Sequence, residues 1–427
     1  MVSKIESRWR FALKAAVAIL STMVISAPVV PGDDLDSQIA RELPKLVEIR
    51  RQLHAHPELS NREVETAKLI AGYLRSIGLE PREGVAKTGV VALIQGAKPG
   101  PCVLLRADID ALPIDEKNDL AYRSLNPGVK HACGHDLHMA VLLGAAKVLA
   151  QMRNQLHGSV KLVFQPAEEG PPSGEEGGAS LMVKEGVLDD PPVAAAFALH
   201  DDPDYDTGIL TVRPGSDMAE ADTFDITVTG QRAHGAFPHK GVDPIPIAAQ
   251  IILQFQSLIT RTQDATKPAV LSVGIIEGGN RFNIVAGSVR LSGTVRTLDA
   301  AQRDDIKARM EKIVSSACGA FGATYIFELT TAAPMVVNDP RLAEFTRKTF
   351  VKYFGPDHVI ESPPHMVAED FSHFASKVPA VYFHLGVRNE AKGLTHALHT
   401  ELFDADDDAI PIGVKAMCAL ALDYLAK

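Results

Sequence analysis

Four short runs in the first half of the chain, Val90–Ile94, Val103–Ala107, Val160–Phe164 and Val193–Leu199, are apolar but for Arg106 and Lys161, and rich in β-branched residues or alanine. A strand with one wet face alternates apolar and polar residues, so nearly continuous runs of this length predict strands buried on both faces. Helical spacing of Ile, Leu and Val surrounds them at Ser37–Leu53, at Arg62–Ile77 before the stop residue Gly78, and at Met139–Ala150. Strands alternating with helices in this way predict an α/β domain with a mostly parallel sheet, whose ligands sit at the carboxyl ends of the strands.

From about Thr211 the texture changes. Phe224–Gly230 alternates as a half-exposed strand, Ile245–Ile259 has helical spacing, and strands at Ala269–Ile276 and Ile284–Val295 precede a helix at Ala301–Ala317 and a strand at Thr324–Leu329. Strand, helix, strand, strand, helix, strand is the order of a ferredoxin-like βαββαβ unit. The first texture then returns in the helix Arg341–Tyr353, the strand Ala380–Leu385 and the helix Ala409–Leu425. The α/β domain is therefore read as discontinuous, 34–212 and 331–427, around an inserted domain at 213–330.

With 46% hydrophobic and 22% charged residues over 427 positions, the chain is globular by composition and long enough for two domains. Its 43 basic and 53 acidic residues leave a net charge of −10 without a basic block, which speaks against nucleic acid as a partner. At the N-terminus, Lys4, Arg8, Arg10 and Lys14 precede an apolar run from Ala15 to Ala27, the pattern of a signal peptide at 1–27 and of export to a periplasm or the outside. That run falls short of the about 20 residues that span a bilayer comfortably, which makes an uncleaved membrane tether the alternative. Cys102, Cys133, Cys318 and Cys418 are too few and scattered for a disulfide framework. A free thiol in an oxidising compartment has to be buried or hold a metal, and Cys133 is placed for the second.

The densest chemical signal is His131-Ala-Cys-Gly-His135-Asp136-Leu-His138, a thiol, three imidazoles and a carboxylate just before a helix. Cys133 and His135 are two residues apart around a glycine, so a looping backbone can bring both to one metal. A cluster of this kind can also be purely structural, and His138, on the helix, reads as a packed or supporting histidine. The second signal, Gln165-Pro-Ala-Glu168-Glu169-Gly170, directly follows the run Val160–Phe164. In extended chain neighbouring side chains point opposite ways, so one carboxylate can bind a metal while the other faces a water on it. A solvated acidic loop is the plain alternative. His200, His399, Asp108 and Asp110 add polar groups at other strand or loop ends, and several such placements together argue for one shared cavity.

These motifs, in order, are Arg51-Gln-Leu-His-Ala-His-Pro-Glu58, Arg106-Ala-Asp-Ile-Asp-Ala-Leu-Pro113, Ala132-Cys-Gly-His-Asp136, Gln165-Pro-Ala-Glu-Glu-Gly170, Ala368-Glu-Asp-Phe371 and Leu398-His399. Over about residues 36 to 425 the chain resembles the amidohydrolase branch of the di-metal peptidases, which includes hippurate hydrolase, N-acyl-amino-acid amidohydrolases and plant auxin-conjugate hydrolases. The resemblance implies that Cys133, His135, Glu169, His200 and His399 bind two divalent metals, with the cysteine bridging, and that Glu168 is the general base. It further implies that the inserted domain acts as a lid and forms a homodimer. Within Gly230-Gln-Arg-Ala-His234, His234 matches the histidine that reaches the scissile carbonyl, and Arg281 and Asn283 match the stretch that contacts the substrate's carboxylate. Where the family commonly continues Val-Ile-Pro-Asp, this chain reads Ile-Val-Ala-Gly287.

The activity so implied is hydrolysis of the amide bond of an N-acyl amino acid. Manganese or zinc is the expected metal, and a mixed thiolate, imidazole and carboxylate set also accepts cobalt or nickel. An exopeptidase on the same scaffold is the nearest rival. A binding protein that has lost the chemistry is the rival of another class, against which stands the presence of all five ligands and the base.

Overall fold

The computed structural model describes residues 31–426, so the leader expected at 1–27 lies outside the described residues. The chain opens with helices α1 (Pro31–Ala55) and α2 (Val64–Ser76) and strands β1 (Arg82–Val85), β2 (Gly89–Gln95) and β3 (Lys98–Asp108). Helix α3 (His135–Gln151), β4 (His157–Gln165), the short α4 (Gly178–Lys184), β5 (Val193–Asp206) and β6 (Leu210–Thr211) follow. Next come β7 (Gly215–Met218), β8 (Glu220–Thr229), α5 (Pro244–Thr262), β9 (Ala269–Gly278), β10 (Ser288–Thr297), α6 (Ala300–Phe321) and β11 (Thr324–Ala333). The last stretch holds β12 (Val336–Asn338), α7 (Pro340–Phe354), β13 (Val359–Ile360), α8 (Ser372–Ala375), β14 (Ala380–Arg388) and α9 (Ala409–Leu425).

Eight strands form one sheet in the order β1-β2-β4-β3-β5-β14-β6-β13. Its centre, β4-β3-β5-β14, is parallel, whereas β2 runs antiparallel to β4 and β6 antiparallel to β14. The nearly continuous apolar runs have the reason expected of them. In β3, Val103, Leu105 and Ala107 enter one core and Cys102 and Leu104 the other, so both faces of the strand are dry. Helices α1, α3 and α9 cover the first face, and their approach depends on Gly144, where an added Cβ would lie 2.6 Å from Leu46 and Val414 side-chain atoms.

Strands β8 to β11 build a separate antiparallel sheet, ordered β11-β8-β10-β9, with α5 and α6 packed on it. Phe224, Ile226, Ile251, Phe255, Met310 and Val314 form its own core. Asp243 and Asp299 cap the starts of the two helices by accepting from the backbone N–H groups of Ile245 and Gln302.

Of the boundaries that differ from the sequence expectation, two bear on chemistry. Strand β10 begins at Ser288 rather than Ile284, because Asn283–Val285 instead pairs with Ala233–Gly235. Strand β5 continues to Asp206, so His200 does not close it; the polar run that reads as a loop is held by pairing with β14 as far as Arg388. Strand β3 pairs with β5 only as far as Ala198, which still leaves His200 beyond the end of that pairing. Among the described residues no helix is long and apolar enough to cross a membrane.

Candidate metal centre

The five side chains singled out as ligands converge at the carboxyl ends of the parallel strands. Cys133 and His135 arrive at the start of α3, Glu169 from the turn after β4, His200 from β5 and His399 from the loop before α9. The turn into α3 runs through Gly134 at φ +79°, where a Cβ would lie 2.1 Å from Asp201 Oδ1, so glycine is required there on both counts.

Among these five side chains, two groups of ligand atoms lie close enough to surround an ion, Cys133 with His135 and His200, and Cys133 with Glu169 and His399. Cys133 belongs to both. Its Sγ is 3.4 Å from His200 Nε2 and 3.1 Å from His399 Nε2, while His399 Nε2 is 3.2 Å from Glu169 Oε1. The backbone carbonyls of Asp110 and Asp201 engage the Nδ1 atoms of His135 and His200, at 2.8 Å and 2.6 Å, which turns both Nε2 atoms to the centre.

The donor set fits metal ions. His135 Nε2 is buried without a hydrogen-bond partner, a cost that an ion would remove. Burial pushes the Cys133 thiol far above its usual range, and Glu169 and Glu168 add to this, so a thiolate here needs a cation beside it. Burial alone would lower His135, but Asp108, Asp110 and Glu169 outweigh it and hold its pKa up at about 10. The pocket is built for positive charge.

Glu168 sits beside this centre without joining the ligand pairs, its Oε2 3.9 Å from His135 Nε2. The reason for its divergence from Glu169 is not the extended backbone that the sequence suggests. Both residues lie in a turn entered through Ala167 at φ +53°, and that turn sends the two carboxylates apart. Burial holds the Glu168 carboxyl well above the usual carboxylate range, with Glu369 and Glu169 reinforcing it.

His138 is a support, as its place on the helix suggests: Asp108 and Asp201 occupy its two ring nitrogens at 2.6 Å and 2.8 Å. Two further networks involve residues to which the sequence reading assigns no role. Buried Arg106 donates to Gln165, Asp108 and Glu369, and the Tyr382 hydroxyl donates to the other oxygen of Glu369. Behind α3, His54 bridges Asp136 and Glu116 at 2.9 Å each, and Arg50 Nε reaches Asp136 at 2.7 Å. Such pairings join residues from distant parts of the chain, and Arg50, Glu116 and Tyr382 lie outside every motif quoted above.

His234, Arg281 and Asn283 are not with the ligands. They lie together in the inserted sheet's loops, where the Gly235 N–H donates to the Asn283 carbonyl at 2.8 Å and His234 pairs with Ile284. His234 and Arg281 are exposed. The Gly287 departure has a local reason, since a Cβ there would lie 2.8 Å from Arg232 Nε.

Residues 104–423 match the peptidase family M20/M25/M40. The chain belongs to that family. Among relatives of this M20 protein, thermostable carboxypeptidase 1 of Saccharolobus solfataricus is 40% identical over 384 residues, 90% of this chain and 96% of its own. N-acetyl-L-cysteine deacetylase of Bacillus subtilis is 37% identical over 366 residues, 86% of this chain and 85% of its own. A Bacillus subtilis structure described as a dinuclear metal binding peptidase from the M20 family superposes with a TM-score of 0.79 at 32% identity, covering 90% of this chain and 99% of that one.

Proposed function

We propose that this M20 protein hydrolyses the amide bond of N-acyl amino acids, releasing a carboxylic acid and a free amino acid. As a member of a peptidase family it is an amide-bond hydrolase, and two divalent metals belong to its chemistry. The observation that carries the finer reading is Cys133 shared between two ligand groups with the Glu168 carboxylate beside them. The kinship with N-acetyl-L-cysteine deacetylase supports the acyl substrate.

Cys133, His135, Glu169, His200 and His399 would hold the ions, manganese or zinc by preference and cobalt or nickel in their place. When bound, two such ions supply Lewis acidity that lowers the pKa of a water toward neutrality. Glu168 accepts the proton of the attacking water and returns it to the leaving amine. His234 donates a hydrogen bond to the developing oxyanion, and Arg281 and Asn283 hold the substrate's carboxylate. Because these three belong to the inserted domain, that domain would act as a lid.

The insertion would also form a homodimer: β9 is its edge strand, and Val270, Ile275 and Ile276 on it are exposed apolar residues. Sedimentation at micromolar concentration checks this. Export through the segment 1–27 stands as part of the same reading, and N-terminal sequencing of the mature protein tests it.

The 40% identity to a carboxypeptidase favours a second reading, an exopeptidase on the same scaffold. Rates of amine release from N-acetyl and N-benzoyl amino acids, set against rates on unblocked dipeptides with metal-loaded enzyme, separate the two. Faster turnover of the dipeptides would overturn the acyl-amino-acid reading.

A further inference from the structure

A second group of metal-ligating side chains lies near the centre described above and shares no residue with it. Asp202 on β5, His365 in the segment before α8 and His384 on β14 place their ligand atoms within 4.8 Å of one another. His384 stands opposite His200 in the register of β14 and β5, so the group occupies the same end of the sheet.

Two of its atoms are orphaned. Asp202 Oδ2 and His365 Nε2 are both buried with no hydrogen-bond partner. Asp202 is only 6% exposed, so water is a poor substitute. Both residues are restrained from elsewhere. Asp202 Oδ1 accepts from the Asp204 N–H at 2.9 Å, and the His365 N–H donates to the Asp217 carbonyl at 2.8 Å.

His384 is oriented in the same manner. Its Nε2 is 3.0 Å from Oδ2 of fully buried Asp217, which leaves the other ring nitrogen free for the group, and its ring lies 4.6 Å from that of His365. A carboxylate behind a histidine is the support that a ligating imidazole ordinarily has, fixing its tautomer and its direction.

We propose that Asp202, His365 and His384 bind a third divalent ion. Two imidazoles and one carboxylate suit an ion of the zinc type, and three protein ligands leave a position for water or for a substrate group. The ion would also pin the segment that leads into Glu369 to the ends of β5 and β14. Glu369 is the residue that grips Arg106, so the pin lies where a slack segment would loosen the floor of the pocket.

The probe is zinc itself. Full-length enzyme is stripped with a chelator, reloaded with zinc, passed over a desalting column and assayed for metal per chain by mass spectrometry. Wild type should hold one ion more than His365→Ala, and His365→Gln, which keeps the bulk of the side chain, should show the same loss with unchanged near-UV circular dichroism. The difference of one does not depend on how many ions the first centre holds. In Cys133→Ala the third ion should remain, so failure of the two-metal reading and failure of this one are distinguishable. Equal zinc counts in wild type and both His365 variants would overturn the site, as would loss of every ion from Cys133→Ala.

Discussion

Cys133 Sγ and His399 Nε2 lie 3.1 Å apart across 266 residues of sequence. The closing stretch of the chain thus completes a site begun at α3, and the insertion between them leaves the contact intact. Since Cys133 also faces His200, it is the one side chain common to both ligand groups. Cys133→Ala should therefore disturb both groups at once. Metal per chain should fall, activity should be lost, and bound metal should protect the wild-type thiol from alkylation. Cys318 and Cys418, buried away from the centre, should tolerate alanine with metal content unchanged.

Glu168→Gln tests the proposed base separately from the proposed ligands. The amide keeps the side chain's shape and removes its basicity, so metal content should stay at the wild-type value while turnover falls by about 10²–10⁴-fold. An enzyme emptied of metal would instead exchange the roles of Glu168 and Glu169.

Arg106 is fully buried among Asp108, Glu369 and Asp370. Removing one partner from such a group leaves charge without compensation, at a cost of about 3–5 kcal/mol. Arg106→Leu should therefore unfold at markedly lower denaturant. Tyr382→Phe, which deletes only one hydroxyl donor to Glu369, should cost about 1–3 kcal/mol.

His54 gives the protein a pH-dependent support remote from the ligand atoms. Burial disfavours its charge, but Asp136 and Glu116 outweigh this and raise its pKa from 6.5 to about 9. The folded state binds this proton more tightly than the unfolded one, so the contribution is fully present below pH 6.5 and is lost as pH rises through 9. One linked proton tilts stability by at most about 1.4 kcal/mol per pH unit. Urea titrations between those limits should show wild type losing stability faster than His54→Gln. Parallel curves would remove His54 as the source.

Much of this was open to reading in the sequence, and what was not has physical causes. The parallel centre was legible because burial on both faces leaves a nearly continuous apolar signature, as in Val193–Leu199. Strands of two to four residues, such as Leu210–Thr211 and Val359–Ile360, carry no periodicity to detect. His200 was found, yet the strand beyond it was not, because Asp201, Asp202 and Asp204 have the composition of a loop. The expected ligands stood out by residue type, whereas Asp202, His365 and His384 are scattered singly and acquire meaning only from their proximity.

The inserted domain supplies the last test, because His234 is far from every metal ligand in sequence and exposed in the structure. Its Nδ1 accepts the Ala236 N–H at 3.1 Å, which assigns the ring proton to Nε2. That tautomer is the one able to donate to an oxyanion, and the ring is steadied by Phe237, with centroids 5.6 Å apart. If the lid delivers this donor, His234→Ala should lower kcat by about 10²–10³-fold and leave metal content alone. Closure within one chain and sharing between subunits differ in a mixing experiment. His234→Ala combined with Glu168→Gln recovers activity only if one subunit's lid serves the partner's site, because a mixed dimer then holds one intact site. Wild-type kinetics in His234→Ala would leave the inserted domain with assembly as its only role.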